Sequence, residues 1–507
     1  MICVPDPPGP RMGSGGATLN ILKILKEKFG EKFFSLRVLL IHSGGYSKRL
    51  PSHTCSGKIF SPLPILPTQG GPYQMLDLKL ALYLPFLECM EPGVFITASD
   101  DIEVFNIDSI NYKGSDDCIT ALAHPASLYT GTTHGVYIME QDQDGENTGS
   151  LVQIKSCLEV LQKPSKELMS EKGAILNSVD SSNNTVQQVF SDSAFWFHSR
   201  TTKKLLKLAE EISPVQHELC IYGDFLTFLG SREYKHYVHK LQGLPQSECR
   251  DIKLKLGSCI SDQPLNILKL NQSKFYHLGT SREYLDGLTD NKDLREELNL
   301  HTRVHCRLTG DSSKDDISGV ILNSCITADS TVHENSIVEY SIIQAQVSLN
   351  SSTILSNVYI EESLSIPGDF LYHTVPIRDL TGAEKFVTVA FGISDDLKIC
   401  HEFDKLKFGG MCLTDLTKVS KKLSPNNIFP SQGESVCLWS GKIFPAAETM
   451  GKSFSLTTKL MNAFLAKEEL NEDDFLSDVY SMADVLQLKN CAEIIKFRRQ
   501  VTKLSSI

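Results

Sequence analysis

The chain has 507 residues, 41% hydrophobic and 22% charged. That composition suits roughly two to four globular domains and excludes a disordered or fibrous protein. A net charge of −11 argues against a general nucleic-acid binder, whose surface would carry a basic excess. No apolar run approaches the ~20 residues of a membrane span, and the opening MICVPDPPGP lacks the basic and apolar regions of a secretion signal. Fourteen scattered cysteines with no CxxC pair read as reduced thiols of a cytoplasmic protein.

In chain order, the first signal is Gly13-Ser14-Gly15-Gly16-Ala17-Thr18 running into Leu19–Phe29, whose apolar spacing suits a helix. It reads as a glycine loop opening onto a helix N-terminus, where free N–H groups favour an anion. Neither the Walker nor the dinucleotide fingerprint fits it. Val38–Ile41 is the length of a buried strand and breaks at Gly44-Gly45, with Ser47, Lys48 and Arg49 beyond and Gly57-Lys58 further on. A strand that runs into a glycine turn followed by fixed cations is how α/β proteins hold phosphates.

Tyr73–Leu84 reads as a helix and Gly93–Ala98 as a buried strand ending in Ser99-Asp100-Asp101-Ile102-Glu103. Carboxylates at such a strand end lie where ligands bind, and they are the hard oxygen donors that Mg²⁺ prefers. His134, between Thr133 and Gly135, either meets substrate or hydrogen-bonds within its loop. Lys163, before Pro164 at a strand end, is either a point charge that binds phosphate or, as is commoner for a lone lysine, plain surface. Asp224 sits in the apolar stretch ELCIYGDFLTFL, where a buried carboxylate needs a partner or a cation. Strands alternating with helices to about Leu300 predict an α/β domain with a largely parallel sheet.

The pattern then changes. Ile326, Val332, Val338, Ile343, Leu349 and Leu355 recur at five- to six-residue intervals, the spacing of a parallel β-helix. Beyond Glu361 the signals are mixed: strand-like Phe386–Phe391 and Ser435–Phe444, then helical Leu456–Ala466 and Leu476–Arg498.

The motifs DPPGPRMGSGGATL, LLIHSGGYSKRLP with GKIF, TASDDIE, TALAHPASLYTGTTHGV, LQKPS, YGDFL, FYHLGTSREYL and LWSGKIFP together resemble the fucose-1-phosphate guanylyltransferases. More distantly, the first domain resembles the sugar-1-phosphate nucleotidyltransferases. The resemblance implies a Rossmann-like nucleotidyltransferase domain with a mainly parallel sheet over residues 1–300, then a left-handed parallel β-helix-like domain over 301–375. A mixed α+β C-terminal region would fill 376–507.

It also implies that GMP passes from GTP to fucose 1-phosphate with Mg²⁺ as cofactor, without nucleic-acid or membrane partners. Residue by residue, Arg49 resembles the arginine that braces pyrophosphate, Lys58 the loop lysine near the phosphates, and Lys163 the lysine on the sugar phosphate. Asp101 and Asp224 resemble the two metal ligands. Gly13, Gly15, Gly16, Gly44, Gly45, Ser47 and His134 would line the nucleotide.

Two departures stand against the family pattern. The chain begins just before the first glycine loop, where the family carries a further segment, and Cys220 replaces an acidic residue. They lead to the expectation of lower stability or activity. They also leave two alternatives: another sugar-1-phosphate nucleotidyltransferase, or a non-catalytic sugar-nucleotide-binding scaffold.

Overall fold

The computed structural model describes residues 1–67, 71–106, 118–140, 151–179, 185–230, 234–310, 316–430, 433, 435–470 and 478–506. The chain divides into two compact units, one of Met1–Gly44 with Leu78–His277 and the other of Gly45–Asp77 with Leu278–Ile507. The division falls inside the Gly44-Gly45 pair.

The first unit contains α1 (Gly13–Phe29), β1 (Arg37–His42), most of α2 (Met75–Cys89), β2 (Gly93–Ala98), β3 (Asp101–Val104), β4 (Ile119–Ser127) and α3 (Leu128–Thr133). They are followed by β5 (Gly135–Met139), β6 (Val152–Gln162), α4 (Lys166–Glu171), β7 (Leu176–Val179), β8 (Thr185–His198) and α5 (Ser199–Glu211). Last come α6 (Tyr234–Gln242), α7 (Glu248–Ile260), β9 (Leu265–Leu270) and β10 (Lys274–His277). The central sheet has the order β1-β2-β8-β4-β9-β6-β5, with β7 beside β8 and β10 paired to β3 apart from it.

This sheet is mixed rather than mainly parallel. β1–β2 and β4–β9 run parallel, while β8 meets β2, β4, β5 and β7 antiparallel and β6 meets β5 and β9 the same way. Helix–strand alternation alone does not set strand direction, and the long β8 with its hairpin-like neighbours supplies the antiparallel pairs.

Alternation of side chains along each strand gives the sheet two apolar faces. Val94, Ile96, Phe195, Phe197 and Ile267 pack with Leu19 and Leu22 of α1 and Leu205 of α5. Phe95, Ala194, Trp196 and Leu268 pack on the opposite face with Tyr83, Phe86 and Leu87 of α2. Continuous burial of Gly93–Thr97 follows from a central strand covered on both sides.

In the second unit, parallel strands repeat with a 17-residue offset. Val320 pairs Ile337, Ser336 pairs Thr353, and Ile354 pairs Leu371. Alongside them, Thr331 pairs Ser348, Val347 pairs Leu364, and Ile342 pairs Tyr359. Ile326, Val332, Val338, Ile343, Leu349 and Leu355 are all buried in one core, as the aliphatic period requires.

The repeat ends in an antiparallel pair, Phe370–Arg378 with Glu384–Gly392, joined by Phe444–Ala447. The expected strand over Ser435–Phe444 is replaced by a single bridge at Val436 and a 3₁₀ turn, Leu438–Ser440. The helix expected at Leu456–Ala466 starts earlier, at Met450. Of the helix expected over Leu476–Arg498, residues 476–477 lie outside the described residues. The remainder holds the short strand Val479–Tyr480, then the helices Met482–Leu488 and Cys491–Ser505. Among the described residues no helix is long and apolar enough to cross a membrane.

Candidate functional site

In the first unit, polar side chains gather around β3 and the strands beside it. Asp101 opens β3 and is almost fully buried, with Glu103 buried two residues on. Between them lies the wholly buried ammonium of Lys79, from α2. It pairs with Asp101 Oδ1, donates to Glu103 Oε2 at 3.0 Å, and reaches Thr97 Oγ1 at 3.2 Å. Burial raises the Asp101 carboxyl, the like charge of Glu103 adds to this, and Lys79 opposes it. For Lys79 burial acts downward, but the two carboxylates outweigh it and hold the ammonium above its ordinary value. Two carboxylates sharing one lysine leave this buried group net acidic when all three are ionised.

Asp192, in mid-β8, points the same polar chemistry at a neighbouring turn. Its carboxylate accepts from Gly135 N at 2.8 Å and from Gln162 Nε2 at 3.3 Å. A Cβ on Gly135 would come within 2.1 Å of Asp192 Oδ2, so only glycine lets the backbone approach this closely. Burial pushes Asp192 up to about 6, while the two hydrogen bonds and the charge of Lys163 pull it back.

Lys163 follows β6 in a left-handed conformation, φ 48°, and its N–H donates to His134 O at 3.1 Å. A lysine held there costs backbone strain, a feature that clusters at ligand clamps. His134 ends α3, its Nδ1 lies 2.9 Å from Thr133 Oγ1, and its ring meets His277 edge-on at 4.8 Å. His277 Nε2 in turn lies 3.5 Å from Asp100 Oδ2. Tyr222 donates to Ser193 O at 3.0 Å, and its phenol is raised first by burial and then by Asp101 and Asp192. Asp101, Asp192, Lys163 and His134 therefore belong to one polar neighbourhood.

Gly13–Thr18 is not a loop. It forms the opening turns of α1, packed against the chain at Leu219–Phe225. Gly15 N donates to Leu219 O at 2.7 Å, and a Cβ on Gly15 would lie 2.7 Å from the Phe225 ring. A Cβ on Gly13 would meet Leu219 O at 2.4 Å, and one on Gly16 the Met12 side chain at 2.8 Å. Packing thus requires small residues here, and helix propensity yields to it. Thr18 Oγ1 reaches His42 Nε2 at 3.0 Å, joining this turn to the end of β1 just before Gly44.

Asp224 sits in a π-helical turn, Ile221–Phe225, with its own partners. Lys253 Nζ lies 2.7 Å from its Oδ1, Tyr237 Oη donates to the same oxygen at 3.1 Å, and Cys220 N donates to Oδ2 at 2.7 Å. Cys220 caps the turn by accepting from Gly223 N at 3.3 Å. As placed, the expected magnesium donors do not fit a single ion. Asp101 and Asp224 are each paired with a different lysine, and among the described residues no cluster of three or more His, Cys, Asp or Glu could hold a metal.

In the second unit, Gly45 (φ 100°) and Ser47 (φ 45°) both take left-handed backbone, which turns the chain sharply before Arg49. The Arg49 carbonyl accepts from Ser281 N at 2.8 Å, and its side chain is exposed. Lys58 Nζ donates to Gly279 O at 2.7 Å, next to Thr280, which caps the helix Ser281–Thr289 through Glu283 N. The segments YSKRLP and LGTS, far apart in sequence, are thereby bound to each other.

Motif reading marks the Ser99–Glu103 carboxylates but does not single out Lys79, Asp192 or His277. Lys79 looks like any helix lysine, although its neighbours in MLDLKLALYL are almost wholly apolar. Asp192 interrupts the buried run VFSDSAFWF, a signal that was available.

Fold and polar neighbourhood together define a mixed α/β protein whose first unit gathers the buried carboxylates Asp101, Glu103 and Asp192 with the buried Lys79 and the left-handed Lys163. The sequence profile of the fucose pyrophosphorylase domain matches residues 30–449, and the chain belongs to that family. It is 31% identical to fucose-1-phosphate guanylyltransferase of Mus musculus over 98% of this chain and 86% of the relative. Against the protein of the same name from Homo sapiens it is 32% identical, over 98% and 84%. A structure of UDP-glucose pyrophosphorylase complexed with UDP-glucose aligns with 41% of this chain and 55% of its own, at 11% identity and a TM-score of 0.20, too slight a likeness to inform the fold.

Proposed function

We propose that this chain transfers GMP from GTP to fucose 1-phosphate, giving GDP-fucose and pyrophosphate. Family membership along residues 30–449 carries the reading. A sugar-phosphate oxygen attacks the α-phosphorus of GTP, and pyrophosphate leaves in line. The nucleophile is already anionic at neutral pH, so the barrier lies in bringing two polyanions together and aligning them.

We assign that neutralisation to three cations: Arg49 on the departing pyrophosphate, Lys58 on the nucleotide phosphates, and Lys163 on the sugar phosphate. The strained backbone at Lys163 and the fixed ammonium of Lys58 support preorganisation, which is what electrostatic catalysis requires. Gly44, Gly45, Ser47 and His134 are proposed to line the nucleotide, while Gly13, Gly15 and Gly16 serve packing. Magnesium is proposed only as the companion of the triphosphate, with no step assigned to it.

We also read the first unit, Met1–Gly44 with Leu78–His277 rather than the whole of 1–300, as a Rossmann-like nucleotidyltransferase domain, 301–375 as a left-handed parallel β-helix and 376–507 as a mixed α+β region. The 17-residue parallel register supports the β-helix. Free thiols at all fourteen cysteines support a cytoplasmic setting.

The test is pyrophosphate release from GTP and fucose 1-phosphate by the purified chain. Lys58→Ala or Lys163→Ala should lower turnover on the order of 10²–10³-fold. Normal turnover by both variants would overturn the assignment. Activity with a different sugar phosphate or base would point to another nucleotidyltransferase, and GDP-fucose binding without pyrophosphate release would point to a scaffold.

A further inference from the structure

Cys400 and Cys437 lie on facing segments of the second unit. His401 and Val436 form an antiparallel bridge in which His401 N donates to Val436 O at 2.9 Å and Val436 N donates back to His401 O at 2.7 Å. Exchange of both bonds makes this the hydrogen-bonded pair of the ladder. The residues one step outward, Cys400 and Cys437, are then a non-hydrogen-bonded pair, where Cα atoms approach to about 4.5 Å and side chains lie closest. That spacing is within the ~4.4–6.8 Å that a disulfide spans. The Cys437 thiol is near enough to Cys400 to act on its titration, and Cys437 Sγ also lies 3.7 Å from Ser440 Oγ. Cys400 is exposed while Cys437 is buried, so one sulfur is open to an oxidant and the other is shielded.

The pair is also connected to the Gly45–Arg49 turn. Two residues beyond Cys437, the Trp439 ring stacks on Tyr46 with centroids 6.0 Å apart and planes 11° apart. Lys48 Nζ sits 5.2 Å from the same indole. Trp439 thus links the segment that carries Cys437 to Tyr46 and Lys48.

We propose that Cys400 and Cys437 form a reversible cross-strand disulfide, a redox modification site whose state is passed through Trp439 to the Tyr46–Lys48 turn. The oxidant is a small disulfide such as oxidised glutathione. The Cys400 thiolate attacks one of its sulfurs and expels a glutathione thiolate, which takes up the proton that Cys400 gave up. The Cys437 thiolate then attacks Cys400 Sγ and expels the second glutathione. Two S–H bonds and one S–S bond are lost, one S–S bond and two S–H bonds form, and two electrons pass to glutathione. The slight desolvation of Cys400, then the neighbouring Cys437, hold its thiol above its ordinary value against the pull of Lys48, so oxidation should quicken as the solution becomes alkaline.

The experiment uses the full chain, with oxidised glutathione as the probe and dithiothreitol as the reversal. Peptide mapping without reduction should find a Cys400–Cys437 crosslink, with two thiols lost per chain, and tryptophan emission should shift and return on reduction. Cys400→Ser should abolish both the crosslink and the emission shift while remaining folded by circular dichroism, and Cys437→Ser serves as the second variant. A map showing only glutathione adducts or crosslinks between other cysteines would overturn the site. A crosslink without an emission change that depends on both cysteines would overturn the coupling to Trp439.

Discussion

Each unit buries a carboxylate in its interior, and the two do so by opposite means. In the first, Asp101 and Glu103 are held by a fully buried lysine, Lys79. In the second, Glu339 is equally buried, yet its close partners are the Tyr284 hydroxyl at 2.7 Å and the Ser356 hydroxyl at 2.6 Å. His53 Nε2 lies 3.8 Å away, and burial, followed by the charges of Arg498 and Lys58, keeps that imidazole well below its usual range and so neutral. Burial likewise raises Glu339, with Ser356, Arg498 and Tyr284 only partly opposing it. A buried ion pair costs desolvation on both sides and tolerates no loss of a partner, whereas a hydroxyl-bound carboxyl can relieve its burial by keeping its proton. The first arrangement suits a place where charge is used, and the second suits scaffolding.

Lys79→Met should strain this contrast most. It strands two buried carboxylates and should cost about 3–5 kcal/mol, read from urea unfolding. A cost near zero would mean that the triad is not ionised. Tyr284→Phe should cost less, about 1–3 kcal/mol, because one oxygen of Glu339 loses its donor. Glu339→Gln should cost about 1 kcal/mol or less, since the amide mimics a protonated carboxyl, and a loss comparable to that of Lys79→Met would erase the distinction between the units.

The smallest effect is one of pH. Burial raises Asp192 to about 6 from the ordinary 3.8, so the folded chain binds this proton more tightly than the unfolded one. Its stabilising contribution is full below about pH 4 and is lost as pH rises through about 6. Asp192→Asn should flatten that slope, with the melting temperature of the variant gaining on the parent between pH 4 and pH 8. A difference that does not change with pH would place the Asp192 titration outside this window.

Much of the architecture was legible because burial writes periodicity into a chain. The run GVFITA announced a central strand, and the aliphatics from Ile326 to Leu355 announced a regular stack whose every member is buried. Strand direction was not legible, since the same alternation serves parallel and antiparallel neighbours, and β8 makes the sheet mixed. Gly13–Gly16 read as an anion loop because glycine marks both flexible turns and close packing, and only Leu219 and Phe225 show that here it is packing.

The candidate site divides in the same way. Residue type and spacing marked Arg49, Lys58, Asp101 and Asp224 as candidates, because cations after glycine turns and acids in apolar stretches need a reason to be there, while Lys163 and every particular role came from the family resemblance. Which partners they take was left to the tertiary structure. It paired Asp101 with Lys79, brought Lys163 near Asp192, and gave Asp224 to Lys253. Electrostatic partners are chosen by proximity across the fold rather than along the chain, so no local pattern carries them.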